Sequence, residues 1–314
     1  MNILITGGAG FIGINLAISF ADKGATVSIL DNFITSSKNR IIKILTRYNL
    51  NLIEADLTLG IPDEIREKTF EQIYHLACPT GVNNLIRLSE EMLVTCAIGT
   101  KNILDLAKEQ KAKFLLASSS EVYGDPEIFP QKETYSGNVD CRGIRSPYEE
   151  GKRFAESLVT MYCRKYGLDG KIVRIFNTYG PNMSESDNRV IPKLLRFSMA
   201  NLPLTVEGKG LQRRTFLYID DLITGIKLIM NSDNGIPVFN LGSEQDISIL
   251  ELAQSILYLT NSLSTIEFTD RPDHDHKARM PDLKNVYNLG WQPSVNLKEG
   301  LTRTINHIKN NSSY

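Results

Sequence analysis

The run Thr6-Gly-Gly-Ala-Gly-Phe-Ile-Gly13 follows the apolar stretch Ile3-Leu-Ile5 and opens the apolar segment Phe11-Ile-Gly-Ile-Asn-Leu-Ala17. A buried strand that turns through glycines directly into a helix commits a chain to a parallel sheet covered by helices. It also points the helix N-terminus outward as a phosphate site. The spacing is G-x-x-G-x-x-G. Gly7 permits the tight turn, Gly10 lets the backbone approach a pyrophosphate, and Gly13 lets the helix lie close on the strand. Phe11 and Ile12 stand in the same turn. Eighteen residues past Gly13, Asp31 ends the second apolar run. A carboxylate there accepts from both ribose hydroxyls and repels a 2′-phosphate, so NAD is favoured over NADP. Asn32, Asp56, Leu57, Leu76, Ala77 and Ser118, at or just past the ends of later apolar runs, complete the candidate cofactor contacts.

Short β-rich runs alternate with helical stretches through residue 175, the pattern of a doubly wound parallel sheet. Strands are expected at Asn2 to Thr6, Thr26 to Leu30, Leu50 to Glu54, Gln72 to Leu76, Ala112 to Ser118 and Lys171 to Ile175. Between the fourth and fifth, Leu85, Leu88, Met92, Cys96, Gly99, Ile103 and Leu106 recur at three and four residues, one buried stripe of a long helix. That stripe packs either on the sheet or on a second subunit. Beyond Ile175 the rhythm breaks, with helices expected near Val190 to Ala200, Asp221 to Met230, Ser248 to Leu259 and Leu297 to Ile308. The expected organisation is an α/β Rossmann domain over 1–175 and a smaller C-terminal substrate-binding lobe over 176–314, interleaved with the last sheet strands.

At 314 residues, with 42% hydrophobic residues, the chain is long enough for a large core. A net charge of −1 gives no electrostatic reason to expect nucleic acid or an anionic membrane. No apolar run reaches the length of a membrane span, and the N-terminus reads as a strand, so a cytoplasmic protein is expected. Cys78, Cys96, Cys141 and Cys163 show neither CxxC pairing nor metal-ligand spacing and read as reduced thiols. Cys78, after a strand end, is expected to pack near a pocket. His274 and His276 in Asp273-His-Asp-His276 read as solvated loop residues, and no metal is expected.

Tyr148 and Lys152, in Ser146-Pro-Tyr-Glu-Glu-Gly-Lys152, are four residues apart. That spacing puts a phenol and an ammonium on one helix face, where the cation holds the phenol's pKa down towards working pH. Such a tyrosinate takes a proton from a sugar hydroxyl while a nicotinamide takes the hydride.

With Thr6 to Gly13, Ser118-Ser-Ser-Glu-Val-Tyr-Gly124 and Tyr148 to Lys152 in one order, the chain resembles the extended short-chain dehydrogenase/reductases that modify nucleotide sugars. It is most similar to the UDP-glucuronate decarboxylase (UDP-xylose synthase) branch. The segments that carry this are Tyr74-His-Leu-Ala-Cys-Pro79, Ser119-Ser-Glu-Val-Tyr-Gly-Asp-Pro126, Tyr148-Glu-Glu-Gly-Lys-Arg153, Arg174-Ile-Phe-Asn-Thr-Tyr-Gly-Pro181 and Arg279-Met-Pro-Asp-Leu283. The resemblance implies oxidation at C4, loss of carbon dioxide from the resulting 4-keto uronate, and re-reduction with NAD regenerated. It assigns Tyr148 as base and Lys152 as its partner. Ser119 then binds the 4-oxygen, and Glu121 and Arg279 sit beside the carboxylate and C5. Related dehydratases carry Asp-Glu where this chain has Ser120-Glu121, so the acid that expels water is absent.

The same resemblance puts Asn177, Arg189, Thr205, Val206, Arg214 and Arg271, with Lys193 as a weaker member, around uracil and diphosphate. A planar guanidinium fork suits a diphosphate. It also implies a homodimer built from the long helix and the Tyr148 helix. Departures fall at Thr80-Gly-Val-Asn-Asn-Leu85, at Cys96 where the family has Asn, and at Arg142 and Arg145 in the loop before Tyr148. They leave open a 2-acetamido or other uronate and a CDP or dTDP carrier. A nucleotide-sugar 4-epimerase is the enzymatic alternative, and an NAD-sensing scaffold the non-enzymatic one.

Overall fold

The structure, a computed structural model, describes residues 1–184, 187–233, 235, 238–270 and 279–311. Its central sheet is formed by β1 (Asn2–Thr6), β2 (Thr26–Asp31), β3 (Asn51–Glu54), β4 (Gln72–His75), β5 (Lys113–Ser119), β6 (Gly170–Ile175) and β7 (Val238–Leu241). The order is β7-β6-β5-β4-β1-β2-β3, and every pairing is parallel. The six strands expected from the alternating pattern are all present, within a residue at each end. The seventh comes from the second half of the chain.

The period of two along a strand sorts its side chains between two cores. Ile3 and Ile5 of β1 join the cluster that includes Leu16, Ala17 and Phe20 of the Phe11–Ala21 helix, and Ile226 and Ile229 of the Ile219–Met230 helix. Leu4 joins the opposite cluster, with Ile103 and Leu104 of the Thr100–Gln110 helix and Ala155 and Val159 of the Ser146–Tyr166 helix. Strands buried on both faces read as continuous apolar runs, as these do. β1 lies between β2 and β4, so the connections after β1 and β4 diverge to opposite sides of the sheet. The crevice at this switch point, outside the strands' carboxyl ends, is where an open α/β sheet takes its ligand.

The stripe from Leu85 to Leu106 is buried throughout, but it does not run along one regular helix. Asn84–Arg87 and Ser89–Val94 are separate turns, parted at Leu88 by a non-helical backbone (φ −125°, ψ 31°). Thr95–Gly99 is a π-helical segment leading into Thr100–Gln110. Of the two packing choices, the stripe takes its own subunit: Cys96, Ile103 and Leu106 face the core beneath the sheet. The opposite face leaves Leu93 44% and Ile98 47% exposed. Alongside, on the Ser146–Tyr166 helix, Phe154 is 51% exposed.

That helix is fixed to the sheet by a buried pair. Arg174 of β6 donates Nη2 to Glu156 Oε2 at 2.7 Å and Nε to Oε1 at 3.0 Å, and Ser118 Oγ donates to the same Oε1 at 2.5 Å. Removing one partner of such a pair costs about 3–5 kcal/mol, because the other is left charged and buried. The second half of the chain wraps around this frame. The Ile219–Met230 helix packs on Phe11–Ala21, where Lys227 Nζ donates to Ser19 O at 2.8 Å. Asp221 of that helix accepts from Ser294 Oγ at 2.6 Å and Val295 N at 2.9 Å, which draws the C-terminal segment onto it. Three two-stranded sheets complete this half. Among the described residues no helix is long and apolar enough to cross a membrane.

Candidate active site

The Ser146–Tyr166 helix begins with Pro147, whose fixed φ suits a first turn. Tyr148 therefore faces the crevice, with Lys152 one turn further along the helix. Lys152 Nζ donates to Ala117 O at 2.9 Å, at the end of β5, and lies 5.9 Å from the centre of the Tyr148 ring. Ser119, two residues past Ala117, lines the same cleft as Tyr148, and its hydroxyl is near enough to lower the phenol's pKa. Its Oγ accepts from Glu121 N at 3.2 Å, which caps the short 3₁₀ turn Ser120–Tyr123.

Burial pushes the Tyr148 phenol up to about 12, against the pull of Lys152 and of the nearby Ser119 hydroxyl. The sequence-based expectation of a phenol held near working pH is thus corrected: desolvation of a phenolate outweighs one ammonium in a site this dry. Burial also opposes charge on Lys152. The negative charge that Cys78, Cys96, Tyr148 and Glu156 carry when ionised outweighs that penalty and holds the ammonium well above its ordinary range. His75 of β4 lies beneath, its Nδ1 2.7 Å from Thr6 Oγ1 and its Nε2 3.0 Å from Thr100 Oγ1. Burial, reinforced by Lys152, drops its pKa to about 3, so it joins β1, β4 and the Thr100–Gln110 helix as a neutral ring.

Glu121 projects from the 3₁₀ turn into a cluster of charge. Its carboxylate is paired with both Nη atoms of Arg279 and with Nη2 of Arg145. Arg145 Nε also donates to Glu149 Oε1 at 3.3 Å, and Arg279 Nη2 reaches Gly124 O at 3.3 Å. Arg279 is 8% exposed, and its Nε is buried with no hydrogen-bond partner. Arg145 had no role assigned from sequence. Its signal was present, a cation three residues before Tyr148 and four before Glu149, but an arginine in a loop gives no direction until the loop is folded.

One cleft of about 510 Å³ joins these groups to the glycine turn. Gly7 has φ +67°, and a Cβ there would lie 2.7 Å from Ala77 N. A Cβ on Gly13 would lie 2.5 Å from both Gly7 O and Gly8 Cα. Gly10 meets only Gly7 O, at 3.2 Å, so its outer side is open to the cleft. Asp31 accepts from Ala9 N at 3.0 Å, Phe33 N at 2.9 Å and Ser36 Oγ at 2.8 Å, which fixes its carboxylate at the rim. A glycine cradle, a helix start with no acidic residue in its first turn and a rim carboxylate fit a dinucleotide.

Of the candidate cofactor residues, Gly7, Gly10, Phe11, Ile12, Gly13, Asp31, Leu76, Ser118, Tyr148 and Lys152 line this cleft. Asn32 and Asp56 lie beside it, joined by Asn32 Nδ2 to Asp56 Oδ2 at 3.0 Å. Burial opposes charge on Asp56, but hydrogen bonds from Thr58 and Asn32 prevail and lower its pKa. Leu57 turns into the core and Ala77 backs Gly7. At the other end Asn177, Arg189, Lys193, Thr205 and Arg214 line the cleft, whereas the Val206 side chain is wholly buried. Arg189 pairs with Asp187, and Asn177 Nδ2 reaches Thr215 O at 3.3 Å. Thr205 Oγ1 is buried without a hydrogen-bond partner. Arg271, His274 and His276 lie outside the described residues, among which no metal-ligating cluster occurs.

Comparison with known proteins agrees with this geometry. Residues 3–242 match the NAD dependent epimerase/dehydratase family. The chain is 40% identical to UDP-glucuronic acid decarboxylase 1 of Arabidopsis thaliana over 99% of its own length and 70% of that protein's. It is 42% identical to UDP-glucuronic acid decarboxylase 1 of Danio rerio, over 98% of this chain and 72% of that one. Among solved structures, UDP-glucuronic acid 4-epimerase from Bacillus cereus, in complex with UDP-glucuronic acid and NAD, superimposes with a TM-score of 0.87 at 26% identity over 99% of both chains. UDP-glucose 4-epimerase from Thermotoga maritima, with UDP-glucose, gives 0.88 at 26% identity, again over 99% of both. The chain belongs to the NAD dependent epimerase/dehydratase family.

Proposed function

We propose that this protein converts UDP-glucuronate to a UDP-pentose and carbon dioxide, through a 4-keto sugar formed and consumed in one site. The observation that carries the reading is the Glu121 carboxylate between Arg279 and Arg145, next to the Ser119–Tyr148 pair. Guanidinium groups beside the alcohol-oxidising pair suit a sugar that bears its own carboxylate at the next carbon but one. Relatives named as UDP-glucuronic acid decarboxylases, matched over nearly the whole of this chain, support it.

Tyr148, as phenolate, takes the C4 hydroxyl proton. NAD, when bound, supplies the hydride acceptor and donor, and its cationic ring adds to the pull of Lys152 on the phenol. With C4 a ketone, the C6 carboxylate stands β to a carbonyl, so the C5–C6 bonding pair can flow towards O4 as carbon dioxide leaves. Ser119 Oγ and the protonated Tyr148 donate to that enolate oxygen, which stabilises charge where it develops. Arg279 and Arg145 hold the carboxylate until the bond breaks, and Glu121 manages the proton that arrives at C5. Tyr148 returns its proton to O4 as C4 is reduced, so the site ends as it began.

In this reading residues 1–175 hold the cofactor and 176–314 the UDP group, with Asn177, Arg189, Thr205, Arg214 and Arg271 at the nucleotide end. The unpartnered Thr205 hydroxyl supports that placement. Leu93, Ile98 and Phe154 form the seam of a homodimer, since together they leave an apolar face on adjacent helices. Four free cysteines fit the reducing cytoplasm.

Incubation with NAD and UDP-glucuronate, followed by mass and proton NMR of the nucleotide sugars, is expected to yield a UDP-pentose. Tyr148→Phe should cut that rate by about a hundred- to ten-thousand-fold while retaining the fold. An isomeric uronate as product would make the protein an epimerase, and near-normal turnover by Tyr148→Phe would remove the base from the scheme. Because Lys152 lowers the Tyr148 pKa, Lys152→Met at saturating NAD should shift the rising limb of the kcat profile to higher pH; an unmoved limb contradicts that role. Leu93→Glu combined with Phe154→Glu should run as a monomer by light scattering, and a persistent dimer would place the seam elsewhere.

A further inference from the structure

Two thiols that the proposed chemistry does not use meet under the catalytic helix. Cys78 follows β4, is half-buried and lines the cleft; Cys96 is buried in the π-helical Thr95–Gly99 segment. Their sulfurs are 3.5 Å apart, within a shared S–H···S contact. Cys96 packs directly against Gly151, between Tyr148 and Lys152. A Cβ at that glycine would lie 3.3 Å from both Cβ and Sγ of Cys96. The hydrogen bond between the two thiols lowers the Cys96 pKa against burial, with the Lys152 ammonium pulling the same way, and together with burial it raises that of Cys78. A charged neighbour and an open side are what distinguish an oxidisable thiol from an inert buried one.

We infer that Cys78 and Cys96 are a peroxide-oxidisable dithiol, a modification site whose closure to a disulfide stops turnover. Hydrogen peroxide reaches Cys78 from the cleft. The Cys78 sulfur, its proton passed to Cys96 across the shared contact, gives an electron pair to one peroxide oxygen; the O–O bond breaks, a sulfenic acid forms, and the expelled hydroxide takes a solvent proton to become water. The Cys96 sulfur then attacks the Cys78 sulfur and expels hydroxide, which leaves as water with the Cys96 proton. Two thiols and one peroxide become one disulfide and two waters.

Closing the sulfurs to about 2.05 Å moves Cys96, which packs on Gly151, and Cys78 in the cleft wall towards each other. The wider turn of the π segment is the part of the backbone able to give. Both movements disturb the helix turn that carries Tyr148 and Lys152. Reduction by a small dithiol restores the starting arrangement.

The test is to treat the purified protein with hydrogen peroxide, alkylate the remaining thiols and map the peptides by mass. The expected result is a Cys78–Cys96 linked peptide, lighter than the two thiols by about two mass units, with Cys141 and Cys163 alkylated. UDP-pentose formation should fall in step with the linkage and return with dithiothreitol. The ratio of treated to untreated turnover should stay near one in Cys96→Ser, with Cys96→Ala as the second variant. The linkage readout does not depend on the proposed reaction, whereas the turnover readout rests on it. Alkylation of both thiols after peroxide, with no linked peptide, would overturn the inference, as would a linked protein of undiminished turnover or an equal loss in both Cys96 variants.

Discussion

Everything at this site depends on one buried ammonium. Lys152 Nζ is held by Ala117 O at 2.9 Å, so the catalytic helix is tied to the carboxyl edge of β5, where Ser118 and Ser119 also emerge. A buried cation is costly unless its surroundings answer it, and here the answer comes from groups that share its chemistry: the Tyr148 phenol, the Cys78–Cys96 pair and the Glu156 carboxylate. The same charge that keeps the helix in register is therefore the one that biases every proton at the bottom of the cleft. His75 is kept neutral first by its own burial and then by that same charge, although both its nitrogens face hydroxyls.

A second charge system lies a few residues away. Glu121 and Glu149 oppose Arg279 and Arg145 within one mostly buried group. Such a group can exchange partners when a carboxylate arrives. That property separates a site for an acidic sugar from one built for a neutral one.

The sheet was legible because burial on both faces leaves long apolar runs, and because Gly7 and Gly13 occupy places where a Cβ would collide with backbone. Tyr148, Lys152 and Ser119 were legible for a related reason: helix spacing and strand ends are local facts. What sequence missed was set by tertiary contact. Periodicity alone made a single helix of residues 85–106, because a π segment keeps the apolar spacing while changing the turn. It also left the stripe's partner open, and the structure turned the stripe inward, leaving Leu93 and Ile98 outside. Arg145 looked like a loop cation until folding brought it to Glu121. The Tyr148 pKa was misjudged because the depth of burial, which decides between desolvation and the ammonium, is not written in a four-residue spacing.

The central claim is that oxidation at C4, loss of the carboxylate and re-reduction occur without release of the sugar. The direct measurement is turnover of UDP-glucuronate carrying deuterium at C4, in ordinary water with catalytic NAD, with the product read by NMR and mass. The account predicts a UDP-pentose that keeps the deuterium at C4 and gains one solvent hydrogen at C5. A UDP-pentose that has lost the C4 deuterium, or a uronate of unchanged mass, would contradict it.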